Sequence, residues 1–231
     1  MKNLMIVVAF AVLAGIAAQP AVAQDLKQKL AAAKEAAAKN AQAQRAYTWV
    51  EKTELSFKGE VKNTKIESCR YGPDGKVVKT PVVTPPPAAK QRGLKGKIVE
   101  KKTGEMKDDL EAAVALVQRY VPPSPDKMQA VMTAGTATVA QSGAGGALAF
   151  KFPAYEKPGD TLTITFDAAV TVLRQINVAT WLDKPDQTVT LNATMQSAPD
   201  GLNHPGTITL SIPSSHIDVR ITKSNYQKLA Q

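Results

Sequence analysis

The stretch TVTLNATM, Thr188–Met195, sets Val189, Leu191, Ala193 and Met195 against Thr188, Thr190, Asn192 and Thr194. A period of two is the repeat of a pleated strand with one dry face and one wet face. The same alternation recurs on both sides of it. Leu162, Ile164 and Phe166 alternate with Thr161, Thr163 and Thr165, and Ile208, Leu210 and Ile212 form a further apolar row. Ile217, Val219 and Ile221 form another. Turn formers punctuate these runs at Pro158-Gly159-Asp160, Lys184-Pro185-Asp186, Asp200-Gly201 and Pro213-Ser214-Ser215. The pattern predicts seven strands between Thr136 and Ser224.

Three more strands are expected upstream. Tyr47–Gly59, Glu60–Tyr71 and Lys76–Val83 are rich in Thr, Val, Ile and aromatic residues, with Gly72-Pro73-Asp74-Gly75 as a hairpin turn between the last two. Between the two strand groups the character changes. Residues 84–107 carry Pro85-Pro86-Pro87 and seven basic residues (Lys90, Arg92, Lys95, Lys97, Lys101, Lys102, Lys107) against Glu100 and Glu105. This reads as a long basic loop, with room for a short strand at Lys97–Lys101. Asp108–Val121 reads as a helix with Leu110, Val114, Val117 and Val121 inward, and acidic residues in its first turn. Pro122-Pro123 ends it. Ser124-Pro125 then opens a second helix carrying Met128, Val131 and Met132, which Gly135 stops. Residues 24–46, with nine alanines and no Gly or Pro, read as a helix on propensity alone, either solvated or laid against the sheet.

About ten strands with one apolar face must curl and be covered. The expected fold is mostly β (α+β): a curved antiparallel open β-barrel with an N-terminal helix and a helical plug over residues 108–134. One domain, 47–231, accounts for all the strands.

Composition narrows the function. Residues 1–23 hold one charged residue (Lys2), an apolar run from Leu4 to Ala18, and Ala21-Val22-Ala23, the small-x-small pattern of a signal-peptide cleavage site. No later stretch reaches the roughly 20 apolar residues of a bilayer span. The expectation is a periplasmic protein of 208 residues and net charge +8, against +9 for the 231-residue chain. The lone Cys69 makes no intramolecular disulfide, and with His204 and His216 it falls short of the about four ligands of a structural zinc. No metal and no cofactor are expected. A secretory signal argues against nucleic acid as the partner of the basic charge; anionic lipid headgroups are the alternative, at roughly 1 kcal/mol per basic residue near the surface. Lys90, Arg92, Lys95, Lys97, Lys101 and Lys102 are the candidates for that contact.

In its ordering the chain resembles the periplasmic lipoprotein-carrier and receptor superfamily, the outer-membrane lipoprotein-sorting fold. The likeness rests on the run Thr161–Asp167 followed by Val172–Val178, on the turn Asp200-Gly201-Leu202-Asn203-His204-Pro205, and on Ile217–Tyr226 as a closing strand. The resemblance implies an open barrel whose hydrophobic cavity holds acyl chains until an envelope partner is met. The inward residues of the pattern then become candidate lining: Leu162, Ile164, Phe166, Val189, Leu191 and Met195 from the sheet, with Val114, Val117, Met128 and Met132 from the helices. A non-enzymatic structural or interaction protein with a filled core is the alternative.

Catalysis has few candidates. His216 and Asp218, two apart, would share one strand face beside Ser214 and Ser215, but Pro213 and the serines read as a turn. His204, next to Pro205, is expected at the surface. Gly143–Gly146 precedes a strand and not a helix, so it builds no phosphate cradle. The chain lacks the Gly-x-Ser-x-Gly, His-Glu-x-x-His and Walker patterns. Cys69, beside Arg70, reads as core filler or as a thiol activated by a cation. The protein is read as no enzyme.

Overall fold

A computed structural model of the chain describes residues 32, 35–83, 94–142, 146–167 and 172–229. The expected signal segment 1–23 lies outside these residues, as do Lys90 and Arg92. Ten antiparallel strands form one sheet. They are β1 (Tyr47–Phe57), β2 (Glu60–Tyr71), β3 (Val77–Val83), β4 (Thr138–Ser142), β5 (Ala147–Pro153), β6 (Thr161–Asp167), β7 (Val172–Trp181), β8 (Thr188–Ser197), β9 (Asn203–Ile212) and β10 (Ile217–Lys228). The helices are α1 (residues 35–44), α2 (Leu94–Val117) and α3 (Pro125–Thr133).

The spatial order is β3-β2-β1-β10-β9-β8-β7-β6-β5-β4. Strands β4 to β10 meander, β10 then pairs with β1, and β1 to β3 continue outward. The first and last strands therefore meet inside the sheet. Its two edges, β3 and β4, are neighbours in the chain, joined by the segment that carries α2 and α3. The sheet does not close into a barrel.

Local chemistry accounts for the turns. Between β2 and β3, Gly72 N–H donates to Lys76 O (2.7 Å), Lys76 N–H donates to Asp74 Oδ1 (3.0 Å), and Gly75 sits at φ +76°. Helix α3 begins as its sequence says: Ser124 Oγ accepts from Lys127 N–H (3.5 Å), Pro125 follows, and Gly135 at φ +71° ends the segment.

One expectation fails here. The region from Leu94 to Lys107 is not a basic loop and holds no strand at Lys97–Lys101; it is the first half of α2. Past Arg92 there is no proline before Pro122, and Lys, Glu and Met are strong helix formers. Gly96 and Gly104 cost about 1 kcal/mol each without breaking the helix. Lys95, Lys97, Lys101 and Lys102 are thus helical positions.

The core joins α2 and α3 to the inner faces of β5–β10. Ala113 and Val117 of α2, Tyr120, and Met128 and Val131 of α3 are buried against Phe150, Phe152, Leu162, Ile164, Val178, Val189 and Ile212. The inward stripe of α2 is Met106, Leu110, Ala113 and Val117. Val114, expected inward, is 39% exposed. The i, i+4, i+7, i+11 row read from the sequence skipped Ala113, whose small side chain lets the helix lie close to the sheet.

Candidate binding cleft beneath the N-terminal helix

The candidate lining residues separate into two groups. Leu162, Ile164, Val189, Leu191, Val117 and Met128 are all buried in the core just described, with Met132 packed half-buried against it. These side chains meet protein. Phe166 and Met195 are half-buried: Phe166 packs against that core, edge to Phe150 (5.9 Å between centroids), and both side chains also border open space. They sit toward one end of the same sheet face and line an open cleft of about 670 Å³ between the sheet and α1.

The walls of the cleft follow from the strand pattern. Phe166 faces Leu173 across β6 and β7, just beyond a register shift at Thr165/Phe166. Met195 faces Pro205 across β8 and β9, beyond a similar shift at Thr194/Met195. Leu202 and Tyr47, both buried, complete the apolar wall. The opposite side is α1, through Ala36, Ala37, Asn40, Ala41 and Gln44.

Helix α1 is held by polar contacts. No residue between 35 and 44 is buried. Asn40 Nδ2 donates to Asn203 O (2.5 Å) and Gln44 Nε2 donates to the same oxygen (2.8 Å). Asn203 N–H donates back to Asn40 Oδ1 (2.8 Å), and Tyr71 Oη donates to Gln44 Oε1 (3.3 Å). An alanine face with so little buried area leaves space where a Leu or Phe face would fill it.

The cleft carries its own electrostatics. Tyr47 Oη donates to the Asp200 carboxylate at the rim. That hydrogen bond holds the Asp200 carboxyl below its usual range and pushes the Tyr47 phenol up. Lys228 lies in the field of Asp200, and Lys39 pairs with Glu35 at 2.7 Å. Asn203, 9% exposed, donates from Nδ2 to Leu173 O (2.9 Å), while its Oδ1 is buried and accepts from no donor. A buried acceptor without a partner costs about 1–3 kcal/mol.

Beside the cleft the sheet face turns polar. Glu51 and Glu67 oppose each other on β1 and β2, and both are buried. Lys79 and Lys223 (3.5 Å) pair with Glu51, and Lys65 (2.6 Å) pairs with Glu67. Burial works against the Lys79 charge, but the Glu51 hydrogen bond and carboxylate outweigh it and raise the ammonium. Trp49 stacks on Tyr226 (5.6 Å between centroids), which stacks on His204 (3.7 Å). A bulge that puts Asn225 at φ 54° turns Tyr226 onto this face, and burial pushes its phenol up.

Sequence reasoning missed this group, although a signal for it was present. Glu51 occupies the phase of Tyr47, Trp49, Leu55 and Phe57, and Lys223 that of Ile217, Val219 and Ile221. A charge on the dry phase of a strand has to find a partner.

Among the residues suggestive of chemistry, His204 and His216 are placed differently from expectation, whereas Pro213–Ser215 forms the expected turn and Cys69 is core filler. His204 is not at the surface; it is 5% exposed at the start of β9, under Tyr226. His216 is exposed, in a left-handed conformation that ends the Pro213–Ser215 turn, so it is not on the strand with Asp218. Asp218 accepts from Ser211 Oγ at 2.6 Å, and Ser215 Oγ donates to Asp109. Cys69 is 1% exposed; burial first, then Glu51, pushes its thiol up, opposite to activation by a cation. Among the described residues no cluster of three or more His, Cys, Asp or Glu could hold a metal, and no helix is long and apolar enough to cross a membrane. No family model, no curated protein and no solved structure matches the chain.

Proposed function

We propose that this protein is a periplasmic carrier that holds a hydrophobic or acylated guest in the cleft beneath α1. The observation that carries the reading is the cleft itself: about 670 Å³, walled by Phe166, Leu173, Met195 and Leu202, under a helix with no buried residue. Its size falls in the usual range of small-molecule sites, roughly 300–1,000 Å³. Each methylene taken from water into it contributes about 0.8 kcal/mol. The unclosed ten-stranded sheet, with helices joining its edges, supports the likeness to the lipoprotein-sorting fold. The guest site in this reading lies under α1, and the helices α2 and α3 serve as core. The basic positions of α2 supply an anionic surface contact during delivery to an envelope partner.

A second reading, a non-enzymatic envelope protein with a filled core, draws on the packing of six candidate lining residues in one buried cluster. One experiment separates the two. A solvatochromic lipid probe added to the purified protein should brighten and shift saturably, and Met195→Trp, which fills the cleft, should abolish the signal. A probe that stays dark, or one indifferent to Met195→Trp, rejects the carrier reading. Native mass spectrometry after gentle extraction would then name a co-purified guest.

A further inference from the structure

We infer that the protein self-associates as a two-fold dimer in which β3 of each copy pairs antiparallel with β3 of the other, centred on Thr80. The two ten-stranded sheets then run on as one. The inference stands apart from the carrier reading, because no residue of β3 lines the cleft.

The strand is an open edge. β3 ends the sheet order, and among the described residues no strand pairs with its far side. Every residue from Val77 to Val82 is exposed, three valines included. The hairpin fixes which backbone groups point outward. Gly72 N–H donates to Lys76 O, so the Lys76 carbonyl faces β2, and along a strand these directions alternate. Val78 and Thr80 therefore bond β2, opposite Arg70 and Ser68, while Val77, Lys79 and Pro81 turn their main-chain groups to the open side. Lysine and proline commonly blunt such an edge. Here the Lys79 ammonium is drawn across the sheet face to Glu51, and Pro81 withholds an N–H while its carbonyl still faces out.

The sequence of the edge supplies the partner. Val77-Val78-Lys79-Thr80-Pro81-Val82-Val83 carries valines at the same spacings on either side of Thr80. About a two-fold axis through Thr80, an antiparallel pair sets Val78 against Val82, Lys79 against Pro81 and Thr80 against Thr80, always across copies. The two lysines are never opposed, and like charges face to face would destabilise the pair. Each Lys79 N–H meets a Pro81 carbonyl, so the proline removes one bond on each side of the axis. Val78, Thr80 and Val82 fall on the face away from Glu51, where valine–valine contacts flank the central threonines. The opposite edge, β4 (Thr138–Ser142), has no such symmetry. Joining β3 to β4 would build an open-ended chain of copies instead of a closed pair.

The test follows the full protein by sedimentation equilibrium. One strand pair is a small contact, so a reversible monomer–dimer equilibrium is expected. Thr80→Lys sets two ammonium groups face to face on the axis and should weaken the dimer about fivefold. Cysteine variants read the register and serve if the lysine variant does not fold. Positions opposed without hydrogen bonds have Cα atoms about 4.5 Å apart, within reach of a disulfide, whereas the two Val78 positions lie about 13 Å apart along the strands. Under mild oxidation Thr80→Cys should give a disulfide-linked dimer. Val78→Cys and the unaltered protein should not, since Cys69 is buried. A protein that stays monomeric up to about 1 mM overturns the inference. So does growth beyond the dimer, a dimer indifferent to Thr80→Lys, or cross-linking as strong through Val78→Cys.

Discussion

Truncating Leu162 and truncating Met195 should have opposite consequences, although the sequence alone places both on the dry face of a strand. Leu162 is fully buried, with Phe152 and Val178 across from it on β5 and β7, themselves 1% and 2% exposed. Leu162→Ala removes three carbons from water-free surroundings, about 2.4 kcal/mol of transfer energy. A cavity term follows because such close neighbours relax only partly, which brings the loss to about 3–5 kcal/mol. Met195 is half-buried and already faces open space, so Met195→Ala creates little new cavity and should cost about 1 kcal/mol or less. At about 2–4 °C per kcal/mol for a chain of this size, the melting temperature should fall by roughly 6–20 °C for Leu162→Ala and by under about 4 °C for Met195→Ala. Binding should invert the order, with lipid-probe affinity unchanged in Leu162→Ala and weakened several-fold in Met195→Ala. Equal thermal losses, or weakened binding in Leu162→Ala alone, would refute the division of this sheet face into filled core and open cleft.

Other outcomes follow from the polar groups. Tyr120 hydrogen-bonds both the buried Asp160 carboxylate and Thr180 Oγ1 (2.9 Å), so Tyr120→Phe should cost about 1–3 kcal/mol in a urea titration with little change in slope; no loss would refute a structural role. Lys79 has its ammonium raised in the folded state, so its contribution is complete below the unfolded lysine value near about 10.4 and disappears as pH climbs through the higher folded value. Stability should therefore fall more steeply with pH above about 10 in the native protein than in Lys79→Met, which is less stable at neutral pH and has a flatter alkaline limb. Asp200 works in the opposite sense. Its carboxyl is lowered, so its contribution is present above the ordinary carboxylate range and fades as pH falls through the folded value; Tyr47→Phe should bring the Asp200 titration, followed by NMR, back up toward about 3.9. Cys69 should resist a thiol reagent in the native state and react fully in denaturant, and rapid native labelling would contradict its burial.

The strands were legible because their signal is local. Alternation such as Val189, Leu191, Ala193 needs no knowledge of a neighbour, and the Gly72–Gly75 turn states its own geometry. Pairing was less so: nothing in Tyr47–Phe57 names Ile217–Lys228 as its partner. The start of α2 was hidden because lysine density suggested solvent, whereas the same lysines are good helix formers. The cleft was half legible. Phe166 and Met195 were in the inward set, but their separation from Leu162 and Leu191 depends on two register shifts and on which helix covers which stretch of sheet. Those are sums over distant residues. An alanine-rich segment reads as featureless, and here its blandness is what leaves the space.

The joining of β1 to β10 has a consequence for how the chain reaches this shape. Tyr47 finds its partner at Lys228, so the long flank of β1 stays unoccupied until the final strand is made. A polypeptide made amino end first must hold β1, β2 and β3 as a short, open piece, its hydrogen-bonding edge bare, through the synthesis of everything between. Completion then comes in one late event, when β10 slots between the early strands and the growing meander. Chaperones that shield unpaired backbone should matter most for this protein just before Ile217–Lys228 is made.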